Sequence, residues 1–583
     1  MRSPLLPRAV LAVPRLSQRC HRPSPSPWIC GTCRVSGHRF SSQSTPEKPY
    51  YITTPIFYVN AAPHVGHLYT MVLTDVLKRW QQVKGTRALL CTGTDEHGLK
   101  VQRASAKAGI EPKLFCNKGA AIFRELAQKA DISYDHFVRT TDQEHKDAVE
   151  YAWFLLKEKG YVYPEKHEGW YSVADEAFYP KSAVKLYLDP PTGRKMMTSI
   201  ETGSEVEWSS ETNYHFRLSA FREPLLEFYK ANPEWIVPAH RMKEVVQAVE
   251  SGLEDLSISR PSDRLTWGIR VPEDESQTIY VWLDALMNYV TKAGYPWTPG
   301  HEHAGGWPAD CQVIGKDIVR FHCIYWPAFL MALGLPLPKK ILTHGHWTLG
   351  GSKMSKSTGR VVDPFHALDR FGPDVMRFYL AHDGGLQHDS SYDNVRIIAM
   401  YNHFLSASLG NLASRVTRGK KWSVRGAIER IGKLPADEWE EGPGSRFYNN
   451  TLSVVPSNVA TSLNSYDPRK ALYQIAEFVR ASNQFFQMSS PWGKILDFGP
   501  GEPGEEVDRI VYLAAEGLRM TGILLQPYMP GKAKTLLDQL GVEESRRTFA
   551  FCAVGQDLEY GVSKVELGAL HKGVLFPPLP SEE

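Results

Sequence analysis

An α/β fold, in which a parallel sheet is split by an inserted domain and followed by an all-helical domain, is what this 583-residue sequence predicts. Three observations carry that reading. β-branched and aromatic runs alternate with helical periodicity over residues 46–160 and again over 271–345. Between them, from 161 to 270, the alternation gives way to a stretch rich in Tyr, Trp, Pro and Glu. Beyond about Arg396 only helical spacing remains.

The elements follow in order. From Tyr50 to about Ala62, "YYITTPIFYVN" reads as a buried strand. After "PHVGH", the run "LYTMVLTDVLKRWQQVKG" sets Leu68, Val72, Val76 and Trp80 on one helix face, closed by Gly85. "RALLCTGTDEHG" is a second strand that ends in polar residues. Strand, helix, strand is a βαβ unit, and such sheets bind ligands beyond the carboxyl ends of their strands. "QTIYVWLDALMNYV", "CQVIGKDIVRFHCIYW" and "KKILTHGHW" read as strand-like runs of the sheet's second half. A glycine-rich loop, "LGGSKMSKSTGR", opens the segment 346–395. From 396 to 583 three long runs carry helical spacing, and 425–446 reads as a loop.

The first 46 residues are a different material, with seven Arg, eight Ser and no Asp or Glu. That is the composition of an organellar transit peptide, and Pro4, Pro7 and Pro14 break its apolar part. "RFSS" at Arg39–Ser42 resembles a mitochondrial processing site. A basic arm for nucleic acid is the competing reading; the lack of acids favours a mitochondrial presequence over 1–45. The whole chain holds 67 Lys and Arg against 64 Asp and Glu, a net +3; without the leader's seven Arg the balance is −4. Nucleic-acid binding must therefore rest on local patches. Cys20, Cys30 and Cys33 fall in the leader, and Cys91, Cys116, Cys311, Cys323 and Cys552 are scattered, which suits a reducing compartment. No uncharged apolar run approaches the roughly 18–20 residues of a bilayer span, so a soluble chain is expected.

His64 and His67 flank Gly66 at a strand-to-helix turn. As zinc ligands they lack evident partners, and the setting is not the helical H-E-x-x-H arrangement. A packed structural role suits one His better than two. A helix N-terminus favours a phosphate, and imidazole N–H groups there would stabilise charge developing at phosphorus. Alone, the tetrad leaves all three open. "GGSKMSKSTG" adds Lys353 and Lys356 on a loop with Gly350, Gly351 and Gly359. It reads as a solvated basic linker or as a mobile clamp that eases pyrophosphate out.

"PHVGH" followed by "KMSKS" resembles the paired signature motifs of the class I aminoacyl-tRNA synthetases. "TTPIFYVNAAPHVGHLY", "TDEHG", "GLEDLSISR", "YVWLDALMNY", "IGKDIVRFHCIYWPAFL", "HGHWTLGGSKMSKS" and "NLASR", with "SPW" at Ser490–Trp492, narrow this to the methionyl-tRNA synthetases. With the leader, the pattern resembles the mitochondrial members found in animals. The resemblance implies a Rossmann-type sheet split by a connective insertion, a stem-contact segment over 346–395 and an all-α anticodon-binding domain. It implies ATP-Mg as substrate, methionyl-adenylate and pyrophosphate as products, and transfer to the terminal adenosine of tRNA.

On that resemblance His64 and His67 would stabilise the α-phosphate, and Lys353 and Lys356 would hold the β- and γ-phosphates. Gly66, Gly315, Lys316, Asp317, Ser355 and Ser357 would complete the ATP site. Ile56, Tyr58, Asp95, Trp282, Tyr289, Ile318 and His322 would form the methionine pocket, with Trp326 behind it. Asp95 would take the substrate ammonium and sit near Arg260. A thioether packs well on aromatic rings. One methylene supplies only about 1–3 kcal/mol of discrimination, so the Tyr58 hydroxyl and the His322 imidazole would add polar contacts to sulfur. Taken alone, Trp282 and Tyr289 read as core aromatics.

Asn411 and Arg415 lie four apart on one helix face, and Trp492 follows Pro491. The family reads anticodon bases with matching residues, by base-edge hydrogen bonds and by stacking. Seven Lys and Arg from Arg415 to Lys433, against Glu429, form a local basic patch. Surface polar residues of an ordinary helix are the alternative.

Many methionyl enzymes carry Cys-based zinc knuckles in the insertion, but no Cys falls between Cys116 and Cys311 here. Ser172 and Asp175 stand where relatives have Cys, so no structural zinc and no other resident metal is expected. The insertion is short for a leucyl, isoleucyl or valyl relative, and no further tRNA-binding domain is read after the helices. The expectation is a monomeric methionine–tRNA ligase of the mitochondrial matrix, acting on L-methionine and mitochondrial tRNA(Met), away from membranes. The alternatives are a class I synthetase for another apolar amino acid, an H-x-G-H nucleotidylyltransferase, and an RNA-binding module that has lost catalysis.

Overall fold

The computed structural model describes residues 47–173, 177–190, 193–298, 301–350, 352–353, 361–435, 439, 443–497, 504–567 and 573–579. Strand Tyr50–Thr53 runs between Cys311–Gly315 on one side and Ala88–Asp95 on the other. Ile341–His344 and then Ile236–Val237 extend the first side, while Phe57–Tyr58 and His136–Arg139 both pair with Ala88–Asp95. Every pairing in this sheet is parallel, so each strand needs a crossover, and helix Val65–Val83 supplies the first.

Both faces of the sheet are covered. Tyr51, Cys91, Ile314 and Ile341 enter one apolar cluster; Ile52, Leu90, Val313 and Leu342 enter the other. Successive strand residues point to opposite faces, which is why a strand buried on both sides shows no polar alternation. Leu68, Val72, Val76 and Trp80 of helix Val65–Val83 are all fully buried, and the chain leaves through Gly85 at φ +86°, a conformation open to glycine.

The insertion is an antiparallel sheet built on the long pair Val162–Ser172 and Glu205–Phe216. Aromatic contacts hold it, with Trp170 against Trp208 at 5.5 Å and Tyr171 against Phe178 at 4.9 Å. Ser172 is buried at the end of its strand, and Asp175 lies outside the described residues. Among the described residues no group of three or more His, Cys, Asp or Glu is placed to hold a metal ion. Within the expected insertion of 161–270, Ile236–Val237 pairs as an edge strand of the parallel sheet. Two residues carry no periodicity for a sequence to display.

Two further expectations are corrected. "YVWLDALMNY" is not a strand but helices Val281–Leu286 and Asn288–Thr291, and "DIVRFHCIYW" beyond Gly315 is helical too. An unbroken apolar run has no period by which helix and strand can be told apart. Helix Val424–Ile431, capped by Ser423 and burying Ala427, Ile428 and Ile431, overlaps the span 425–446.

The helical domain begins with Asn394–Met400, Tyr401–Gly410 and Asn411–Thr417, one continuous path with a π-helical middle. Pro443–Asn464, Pro468–Ser489, Glu505–Leu525 and Pro530–Leu540 pack around it. The apolar cluster beneath helix Val65–Val83 runs into these helices without a break. Among the described residues no helix is long and apolar enough to cross a membrane.

Candidate active site

His64 is the N-cap of helix Val65–Val83, with extended backbone at φ −135° and ψ 172°. The Gly66 N–H donates to its Nδ1 at 3.0 Å, and the His64 N–H donates to His67 Nδ1 at 3.1 Å. This is a reciprocal capping box made by imidazoles. A ring nitrogen that accepts carries no proton, so each neutral ring carries its proton on Nε2. The rings stack at 3.9 Å, and Phe57 (5.2 Å) and Phe123 (5.4 Å) hold His67 edge-on. Gly66 makes room for the His64 ring. A Cβ there would lie 2.8 Å from His64 Cε1 and 2.9 Å from Nδ1. Two Nε2–H donors therefore sit at the positive end of a 19-residue helix.

The second half of the sheet approaches the same turn. His344, at the end of strand Ile341–His344, shares a 2.9 Å hydrogen bond between its Nε2 and Thr70 Oγ1, and its Nδ1 donates to Gly345 O at 2.8 Å. Burial lowers its pKa to about 4, so the ring is neutral. Gly315 ends strand Cys311–Gly315 and Lys316 and Asp317 follow it; Lys316 Nζ pairs with Asp389 at 2.7 Å and Asp317 with His346 at 3.1 Å. Lys353 lies on the short strand Ser352–Lys353, opposite Thr348. Ser355, Lys356 and Ser357 lie outside the described residues.

Most of the residues expected to enclose methionine fall in or against the apolar cluster on one face of the sheet. Trp282, Tyr289 and Trp326 belong to a single buried cluster, with Ile56, Tyr58 and Ile318 half-buried against it. Asp95 ends strand Ala88–Asp95, opposite Tyr58 in register, and is buried. Trp282 stacks flat on Phe321 at 3.6 Å, a partner that the sequence reading missed although it precedes His322. Arg260 donates to Ser257 Oγ and Ser259 O, and its guanidinium lies over Tyr171, Phe178 and Tyr280.

His322 has a partner in the protein for each ring nitrogen. Its Nδ1 donates to Ile318 O at 2.9 Å, so Nε2 accepts the Tyr289 hydroxyl at 2.6 Å. Burial lowers its pKa to about 4. Both nitrogens are committed to the protein, which leaves no N–H for a thioether.

Also missed was a carboxylate, Asp284, that accepts from His97 and His145 at 2.7 Å each. Glu96, between Asp95 and His97, is wholly buried and tied to Arg139 at 2.6 and 2.8 Å. "DEH" and "WLD" were visible as strings, but nothing in them says which carboxylate pairs with which imidazole.

Far along the chain, Arg415 lies over the Trp492 ring at 4.7 Å and the Phe486 ring at 5.2 Å, and donates to Gln487 Oε1 at 2.8 Å. Asn411 is exposed at the start of the same helix. The basic patch is smaller than its count. Arg425 pairs with Glu429 at 2.8 Å, and Arg430 is bidentate to Asp508 at 2.5 and 2.8 Å.

Comparison with known proteins agrees with this geometry. A family described as "tRNA synthetases class I (M)" matches residues 50–417. The probable mitochondrial methionine–tRNA ligase of Neurospora crassa is 51% identical over 570 residues, covering 94% of this chain and 91% of the relative. That of Schizosaccharomyces pombe is 45% identical, covering 89% of this chain and 94% of its own. The human mitochondrial enzyme is 41% identical, with 85% of each chain covered. A Mycobacterium tuberculosis methionyl-tRNA synthetase in complex with methionyl-adenylate superposes with a TM-score of 0.82 at 37% identity, covering 91% of this chain and 100% of that one. The chain thus belongs to the methionyl-tRNA synthetases, the class I aminoacyl-tRNA synthetases that are methionine–tRNA ligases.

Proposed function

We propose that this chain converts L-methionine and ATP-Mg to methionyl-adenylate and pyrophosphate, then esterifies the terminal adenosine of mitochondrial tRNA(Met), in the mitochondrial matrix. The observation that carries the chemistry is the pair of backbone-locked imidazoles, whose Nε2–H groups are set at the helix N-terminus. As carboxylate oxygen attacks the α-phosphorus, negative charge grows on the phosphate oxygens. His64 and His67 donate to them without reorganising, since Nδ1 is already occupied. Lys353 and Lys356 take the departing pyrophosphate, and Gly66, Gly315, Lys316, Asp317, Ser355 and Ser357 border the nucleotide. Asp95 holds the substrate ammonium; Ile56, Tyr58, Trp282, Tyr289 and Ile318 enclose the thioether. His322 acts through Tyr289 by fixing its hydroxyl. Asn411, Arg415 and Trp492 meet the anticodon.

The acid-free leader and the relatives named mitochondrial support the compartment. The test is ATP–pyrophosphate exchange with each apolar amino acid, followed by charging of mitochondrial transcripts with a CAU anticodon or altered anticodons. His67→Ala should lower exchange by about 10²–10³-fold, the cost of one preorganised donor. Robust exchange with leucine but not methionine would overturn the reading.

A further inference from the structure

Asp284 lies in helix Val281–Leu286 and is 1% exposed. Its Oδ2 is 2.7 Å from His97 Nδ1, and its Oδ1 is 2.7 Å from His145 Nε2. The two imidazoles are 3% and 0% exposed, and His145 Nδ1 is 3.2 Å from Thr291 Oγ1. The carboxylate therefore fastens three segments that are far apart in the chain: the end of strand Ala88–Asp95, helix Gln143–Glu158, and its own helix. Burial alone would raise its pKa; His97 and His145 together hold it down to about 2, so it is ionised throughout the working range.

Its place in the sequence gives this cluster a consequence beyond stability. His97 stands two residues after Asp95, and Asp284 two residues after Trp282. The tie thus joins the strand end that presents the ammonium partner to the helix that presents the aromatic wall. We infer that Asp284 is a positioning residue for methionine recognition, gripping His97 and His145 so that Asp95 and Trp282 keep the separation that one methionine fills. This rests on the proposed roles of Asp95 and Trp282. A shift of about 1 Å at such a site is enough to cost up to about 10²-fold.

The experiment is ATP–pyrophosphate exchange on the full chain, with methionine and ATP varied separately. Asp284→Asn keeps the shape but replaces one acceptor oxygen with a donor. His145→Ala removes one tie, and His145→Gln restores an N–H near the lost Nε2. Asp284→Asn and His145→Ala should raise KM for methionine about tenfold with KM for ATP unchanged within about twofold, and His145→Gln should recover most of the loss. An unchanged methionine KM in either variant, or methionine and ATP KM rising together, would overturn the inference. If Asp284→Asn does not fold, the two His145 variants decide it alone. Asp95→Asn and Trp282→Ala run alongside. If neither moves the methionine KM, it is the pocket assignment that has failed, a result distinct from failure of Asp284 with those controls intact.

Discussion

Each imidazole of the "PHVGH" turn accepts a backbone N–H on Nδ1 and, in the proposed function, turns its Nε2–H towards substrate. That division of labour explains why two histidines stand three apart. A helix N-terminus needs acceptors for its orphan N–H groups, and here the acceptors are the same side chains that carry the donors. His322 shows the opposite economy, since both of its nitrogens are spent inside the protein. Its pKa of about 4 lies below the ordinary imidazole value. The unfolded chain therefore binds the proton more readily, so this burial stabilises above about pH 6.5 and that stabilisation is lost as pH falls towards 4. For the same reason KM for methionine should stay flat between about pH 6 and 8 in the exchange assay. An inflection in that range that disappears in His322→Gln would show the ring titrating and contradict the assignment.

At the scale of elements, helix Val65–Val83 connects the chemistry to the rest of the chain. Its first turn carries the imidazoles, and Thr70 meets His344. Farther along, Asp75 pairs with Arg377 at 2.5 Å, both fully buried, and Trp80 Nε1 donates to Asn464 Oδ1 at 3.0 Å. Arg377 also donates to the carbonyls of Pro527 and Tyr528 at 2.8 and 3.1 Å. One guanidinium thus joins helix Val65–Val83 to the helical domain. Burial opposes ionisation of Asp75, but Arg377 and Arg79 outweigh it and hold the pKa below the usual carboxylate range. Its contribution is present above the ordinary carboxylate pKa and is lost only as pH falls below it. Breaking a buried pair leaves an uncompensated charge, so Arg377→Met should cost about 3–5 kcal/mol in urea unfolding. An unchanged unfolding midpoint would show that the pair joins nothing of consequence.

Across the whole molecule, the apolar core beneath helix Val65–Val83, which His64 caps, continues into the helices on which Trp492 packs, while Trp282 and Tyr289 belong to the cluster on the other face of the sheet. Arg415 already covers one face of Trp492, so a base stacking there, as proposed, would take the other face or displace the guanidinium. Trp492→Ala should lower kcat/KM for tRNA charging by roughly 1–3 kcal/mol, the worth of one base–aromatic stack, while leaving ATP–pyrophosphate exchange intact. Loss of both activities together would mean that Trp492 supports the fold rather than the RNA.

The sequence by itself determined the class of fold, the family and the chemistry. Periodicity at Leu68, Val72, Val76 and Trp80 is a local property of a helix with one covered face, and "PHVGH" with "KMSKS" is a pattern of letters. Only the tertiary structure decided the elements that are apolar on every side, such as "YVWLDALMNY", and the two-residue edge strand Ile236–Val237. It alone decided pairings as well: which nitrogen of His322 meets Tyr289, which imidazoles grip Asp284, and which cations near Arg415 are already spent on Glu429 and Asp508. The physical reason is range. Helix propensity and periodicity act within about a dozen residues, whereas a buried carboxylate finds its partners 139 and 187 residues away, where folding has left nothing else to satisfy it.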